Sequence, residues 1–116
     1  MIRGVHAMFY SAEADALRAF LRDKLGFRGR DVGGGWLIFD VPEGDMGVHP
    51  TEAGGPPSGT CDISFYCDDI HATVRELRSR GVEFVHDVED HGYGYVTFMR
   101  VPGDFRVQLY QAKYAR

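Results

Sequence analysis

Apolar and polar residues alternate along Val5-His6-Ala7-Met8-Phe9-Tyr10-Ser11, and again along Cys61-Asp62-Ile63-Ser64-Phe65-Tyr66-Cys67. A period of two marks a half-buried strand. The segments superpose at a constant offset of 56 residues (5 to 61) and share a Phe-Tyr pair. Each runs into helical spacing. Ala14, Leu17, Phe20, Leu21 and Leu25 predict a first helix with Ser11 as its N-cap. Ile70, Val74 and Leu77 predict a second, capped by Asp68. Gly26 and Gly81 stand where each helix needs a left-handed residue to end.

The ends of the two halves match as well. Gly44-Asp45-Met46-Gly47-Val48-His49 lies over Gly103-Asp104-Phe105-Arg106-Val107-Gln108 at an offset of 59 (44 to 103). Between helix and end strand, each half has room for two more strands. These are expected near 28–32 and 36–41 in the first half, and near 83–88 and 95–101 in the second. The stretch 50–59 holds three prolines and three glycines and reads as a linker. The chain is therefore read as one α+β domain of two βαβββ modules, about 1–50 and 60–112 joined by 51–59, forming a curved mixed sheet around a central cleft.

Strand alternation sorts the side chains. Val5, Ala7 and Phe9 share a face, as do Cys61, Ile63, Phe65 and Cys67, and Phe105, Val107 and Leu109. These apolar sets belong under the helices, which makes Cys61 a buried, inert thiol. The opposite set holds His6, Met8 and Tyr10, then Asp62, Ser64 and Tyr66, then Arg106, Gln108 and Tyr110, and would line the cleft. Trp36, Phe39, Phe98 and Met99 are read as core or cleft wall. By repeat equivalence His6 pairs with Asp62 and His49 with Gln108. Two imidazoles and a carboxylate suit iron, manganese, nickel or zinc, with Gln108 adding a carbonyl oxygen or holding a water. Asp62 and Gln108 can instead bond each other or His6 and close the site without an ion. His91, with Glu89, Tyr93 and Tyr95, is either an acid/base group at the cleft mouth or a turn with aromatic cover. His71 is read as a solvated helix residue, and Asp68-Asp69 as helix capping.

Composition removes several classes of function. A net charge of −4, with no basic stripe, argues against a nucleic-acid surface. No apolar run approaches the roughly 18 residues of a membrane span, and no secretory signal is expected. Cys61 and Cys67, about 20 Å apart on one extended strand, would not form a disulfide; a reduced, cytoplasmic protein is expected.

Asp62-Ile63-Ser64-Phe65-Tyr66-Cys67-Asp68-Asp69-Ile70 and Gly103-Asp104-Phe105-Arg106-Val107-Gln108-Leu109-Tyr110 resemble the strand-to-helix motif and closing strand of the glyoxalase/bleomycin-resistance/extradiol dioxygenase (vicinal oxygen chelate) superfamily. The resemblance spans nearly the whole chain. It implies metal ligands at His6, His49, Asp62 and Gln108, although Asp62 stands at a usual histidine and Gln108 at a usual glutamate. It also implies a homodimer and a small-molecule substrate. One reading is an enzyme, a dioxygenase acting on a catechol-type substrate or a glyoxalase-like isomerase or lyase. The ion would be its Lewis acid, and His91, Tyr93 and Tyr110 would be its catalytic side chains. The other is a metal-free drug-binding protein, with Tyr10, Tyr66, Tyr110 and Trp36 as stacking surface and an acidic balance suited to a cationic ligand.

Overall fold

The computed structural model describes residues 6–41, 43–45, 47–48 and 50–114. The first helix, α1 (Ala14–Ala19), continues as a π-helical segment over Phe20–Lys24. A two-stranded antiparallel sheet follows, formed by β1 (Arg28–Asp31) and β2 (Leu37–Asp40). The second half supplies β3 (Ser64–Tyr66), α2 (Ile70–Ser79), β4 (Glu89–Asp90), β5 (Gly94–Val101) and β6 (Phe105–Ala112). Its four strands form an open mixed sheet in the order β3-β6-β5-β4, with β3 parallel to β6.

One core joins the two halves. Leu17, Phe20 and Leu21 from the first helix meet Ile70, Val74 and Leu77 from α2, over Met99, Val101, Val107 and Leu109 of the sheet. The 70, 74, 77 spacing places one apolar stripe of α2 on the strands. β5 and β6 then obey the alternation, since Thr97, Met99 and Val101 face the helices with Val107 and Leu109.

The helix ends follow the sequence closely. Gly81 has φ +86, and the Val82 and Gly81 amides donate to the Leu77 and Arg78 carbonyls at 3.0 Å each. That pair of hydrogen bonds is the Schellman closure. Gly26 takes φ +77 in the matching place. The two C-termini also meet, for Arg80 donates to the Lys24 carbonyl at 2.9 Å. A cation there satisfies an orphan acceptor and opposes the negative end of the helix.

Several expectations need correction. The cap of α2 is Asp69, which accepts from the Ala72 amide at 3.1 Å, one residue beyond the Asp68 expected. Ser11 accepts from the Glu13 amide at 3.0 Å, but α1 begins two residues later than a cap there implies, after Glu13. Described residues 6–11 form no strand. Instead Phe9 turns onto Phe105, ring centroids 6.0 Å apart, and Ser11 Oγ donates to the Pro102 carbonyl at 2.9 Å. The Gly103 amide in turn donates to Glu13 Oε2 at 3.0 Å. The chain entering α1 thus grips the β5–β6 hairpin rather than joining a ladder. The described residues of 44–48 also form no strand. The strand expected at 83–88 is reduced to a Phe84–Met99 bridge. Val85 then bonds Phe98 while Glu89 pairs with Val96, so residues 86–88 bulge opposite Thr97. Cys61 is exposed, because β3 starts only at Ser64 and strand alternation does not reach residue 61. Both cysteines are free thiols.

Candidate functional site

The sheet face turned away from the helices carries its own packed patch. Val96 is fully buried and Tyr110 nearly so, yet neither belongs to the helix-side core. They pair across β5 and β6. The next pair along the same face is Phe98 with Gln108, then Arg100 with Arg106. Ser64 of β3 lies beside Gln108, and Tyr66 beside Tyr110.

The turn between β4 and β5 adds a cover to this face. Asp90 accepts from the Gly92 amide at 2.9 Å, and Gly92 has φ +83, which glycine adopts without strain. The His91 amide donates to the Gly94 carbonyl at 2.9 Å and closes the turn. Gly94 must be glycine, because a Cβ there would sit 2.5 Å from the Gln111 carbonyl oxygen. Lys113 reaches Asp90 at 2.6 Å; that hydrogen bond, with the Gly92 amide, holds the Asp90 carboxyl below its usual range.

So fixed, the turn brings aromatic side chains together in a row. The Tyr66 and Tyr110 centroids are 6.1 Å apart, Tyr110 and Tyr93 are 6.1 Å apart, and Tyr93 and His91 are 6.3 Å apart. These spacings and tilts are those of favourable edge-to-face contacts. Tyr93 donates to Gln108 Oε1 at 3.2 Å, and the Tyr110 and Tyr114 hydroxyls share a bond of 3.1 Å. His91 Nε2 donates to Glu89 Oε1 at 3.0 Å, a bond that, with the nearby His86 charge, holds the Glu89 carboxyl below its ordinary range.

Four of the expected site residues, His91, Tyr93, Gln108 and Tyr110, therefore converge on one face. Tyr95 does not join them, since alternation sends it to the helix side beneath Lys113. His6 and Asp62 are both exposed, and no hydrogen bond or ion pair links either to Gln108. His49 lies outside the described residues. Among the described residues, no group of three His, Cys, Asp or Glu side chains is placed to hold a metal ion. Trp36 is half exposed beneath Arg18, at 4.9 Å from guanidinium carbon to ring centre, and Tyr10 is 90% exposed. Neither stands in the row of rings.

The arginines are what the sequence reading passed over. Alternation had put Arg106 on the face of Gln108 and Tyr110, but only the register of the hairpin sets Arg100 opposite it. Arg106 stacks on Phe98, its guanidinium carbon 4.1 Å from the ring centre.

Residues 3–109 match the family described as Glyoxalase/Bleomycin resistance protein/Dioxygenase superfamily. No curated protein matches the chain. Among solved structures, a member of that superfamily from Sphaerobacter thermophilus is 24% identical, with TM-score 0.63, covering 95% of this chain and 98% of its own. TnmS3, an antibiotic binding protein from Streptomyces sp. CB03234, is 19% identical with TM-score 0.64, covering 97% of this chain and 100% of its own. Lactoylglutathione lyase from Agrobacterium tumefaciens is 18% identical with TM-score 0.62, covering 89% and 88%. At these identities the likeness is one of fold.

Proposed function

This chain belongs to the Glyoxalase/Bleomycin resistance protein/Dioxygenase superfamily, and from that membership we propose that it binds an aromatic small molecule on the tyrosine-bearing sheet face. The observation that carries this reading is the unbroken row Tyr66, Tyr110, Tyr93 and His91, backed by Phe98. Rings in such a row offer apolar area with polar tips, and Gln108 and the phenol hydroxyls supply a few orienting hydrogen bonds. The similarity in fold to an antibiotic binding protein supports the same reading. A cytoplasmic homodimer that works in this way remains the expectation from the sequence. Sedimentation tests its assembly.

The experiment is amide-resolved NMR of the labelled protein titrated with a panel of polycyclic aromatic compounds. Shifts concentrated at 64–66, 91–98 and 106–112 support the site. Shifts confined to the helix side, or none from any compound, refute it.

A metal-dependent isomerase, lyase or dioxygenase is the second reading. It is favoured by the pairing of two histidines with a carboxylate at His6, His49 and Asp62, and by the likeness in fold to a lactoylglutathione lyase. The described residues do not fit an ion well. His6 and Asp62 lie exposed and unconnected, and Gln108 Oε1 already accepts from Tyr93. Elemental analysis beside a His6→Ala variant decides the matter. Near-stoichiometric iron, manganese, nickel or zinc that vanishes in the variant would restore the metal reading, and none after anaerobic reconstitution would remove it.

A further inference from the structure

Arg100 and Arg106 are direct cross-strand partners at the hairpin end of the candidate face. Like charges placed opposite each other on a sheet repel and destabilise the pair. Among the described residues neither arginine forms a salt bridge with any carboxylate. The carboxylates nearby are Asp104, which shares a cavity of about 350 Å³ with both, and Glu83, whose carbonyl accepts from the Arg100 amide. Two cations so placed on a chain of net charge −4 form a local concentration against the overall sign. Its seat over Phe98 also holds the Arg106 guanidinium on this face, where its N–H groups are donors of the kind that receive a planar or tetrahedral anion.

We propose that the ligand of this face carries an anionic group, a carboxylate, sulfonate or phosphate, received between Arg100 and Arg106 while its rings lie toward Gln108 and Tyr110. The proposal rests on the reading of the tyrosine face as a ligand site and names the chemical class that it selects. It also reverses the expectation, drawn from total charge, that a cationic ligand suits the protein. Strand spacing sets the scale. Arg106 and Gln108 are roughly 7 Å apart along β6, and Arg106 and Tyr110 roughly 13 Å. A bicyclic or tricyclic aromatic acid spans that distance, whereas a bare inorganic anion does not.

The test compares anilinonaphthalene sulfonate with its uncharged parent, phenylnaphthylamine, by fluorescence titration of the full chain. The wild type is expected to bind the sulfonate roughly fivefold more tightly, the scale of an exposed ion pair. An Arg100→Gln/Arg106→Gln double variant, shown folded by circular dichroism, should bind both probes equally. In the wild type the preference should shrink as salt is raised. A preference that survives in the variant, or is absent in the wild type, overturns the anion assignment and leaves the aromatic site standing. Binding of neither probe to the wild type overturns both. Should the double variant fail to fold, the single Arg100→Gln variant and the salt series decide, and a salt-independent preference rejects the proposal.

Discussion

The Tyr93 hydroxyl donates to Gln108 Oε1 at 3.2 Å, joining the β4–β5 turn to the middle of β6 across 15 residues of sequence. The bond sits on a half-exposed ring in edge-to-face contact with Tyr110. Two different losses can therefore be separated. Tyr93→Phe removes only the hydrogen bond and should lower stability by about 0.5–1 kcal/mol. It should weaken an aromatic ligand less than about threefold, since the ring stays. Tyr93→Ala removes the ring and should weaken the same ligand by about tenfold. Thermal melts and fluorescence titration on the pair measure both. Equal ligand losses in the two variants would show that the hydroxyl, not the ring, does the binding.

Thr97 is the one polar side chain among the buried core residues described, and its hydroxyl donates to the His86 carbonyl at 2.8 Å. That carbonyl belongs to the bulge and has no strand partner to turn to. Thr97→Val keeps the shape and leaves the acceptor unpaired, at a cost of about 1–3 kcal/mol. Chemical denaturation should show the loss as a lower midpoint with an unchanged slope. A stability equal to that of the wild type would mean that water takes over the His86 carbonyl.

The bulge also marks where sequence reading fell short. Helix stripes, glycine stops and the alternation of β6 were legible, because each is recorded in a few neighbouring residues. What Leu17, Ile70, Val107 and Leu109 do was visible from spacing alone. The break at residues 86–88 depends on how one strand meets another, and no local period records it. The same holds for the segment near Phe9, whose alternation reads as a strand although its contacts are with a hairpin turn. For the site, parity put Gln108, Tyr110 and Arg106 on one face. It could not pair Arg100 with Arg106, because that relation is set by the length of the turn between them.

The two thiols should differ in reactivity, in the reverse sense for Cys61 to the one its alternation suggests. Cys61 is exposed, whereas Cys67 is half-buried with its Sγ 3.7 Å from the Tyr110 carbonyl oxygen. Burial pushes the Cys67 thiol up, so less thiolate is present near neutral pH. Iodoacetamide should label Cys61 first, by a margin of about tenfold or more. Peptide mass spectrometry over a time course reads the order. Labelling at equal rates would place Cys67 in solvent.

Glu89 supplies the pH dependence at the cover of the face. Its carboxyl is lowered by the hydrogen bond from His91 and then by the His86 charge. A lowered carboxyl stabilises the turn above its unfolded value, and the contribution disappears as pH falls through the folded one. The window is therefore acidic, below the ordinary glutamate range of about 4.3. Carbon-detected NMR should find the Glu89 midpoint below that of the other exposed glutamates, and His91→Ala should return it most of the way. A midpoint unmoved by the variant would assign the effect to His86 instead.

Ser11 and Glu13 hold Pro102 and Gly103 across 91 and 90 residues of chain. During synthesis the first helix leaves the ribosome well before its partner hairpin exists. For that interval Phe9, Leu17, Phe20 and Leu21 have no sheet to lie on, and a nascent chain in this state is prone to association. The clasp closes only when the turn after β5 has been made. A chain that stops short of residue 105 is thus left with its amino-terminal stripe uncovered, a feature by which quality control can recognise it.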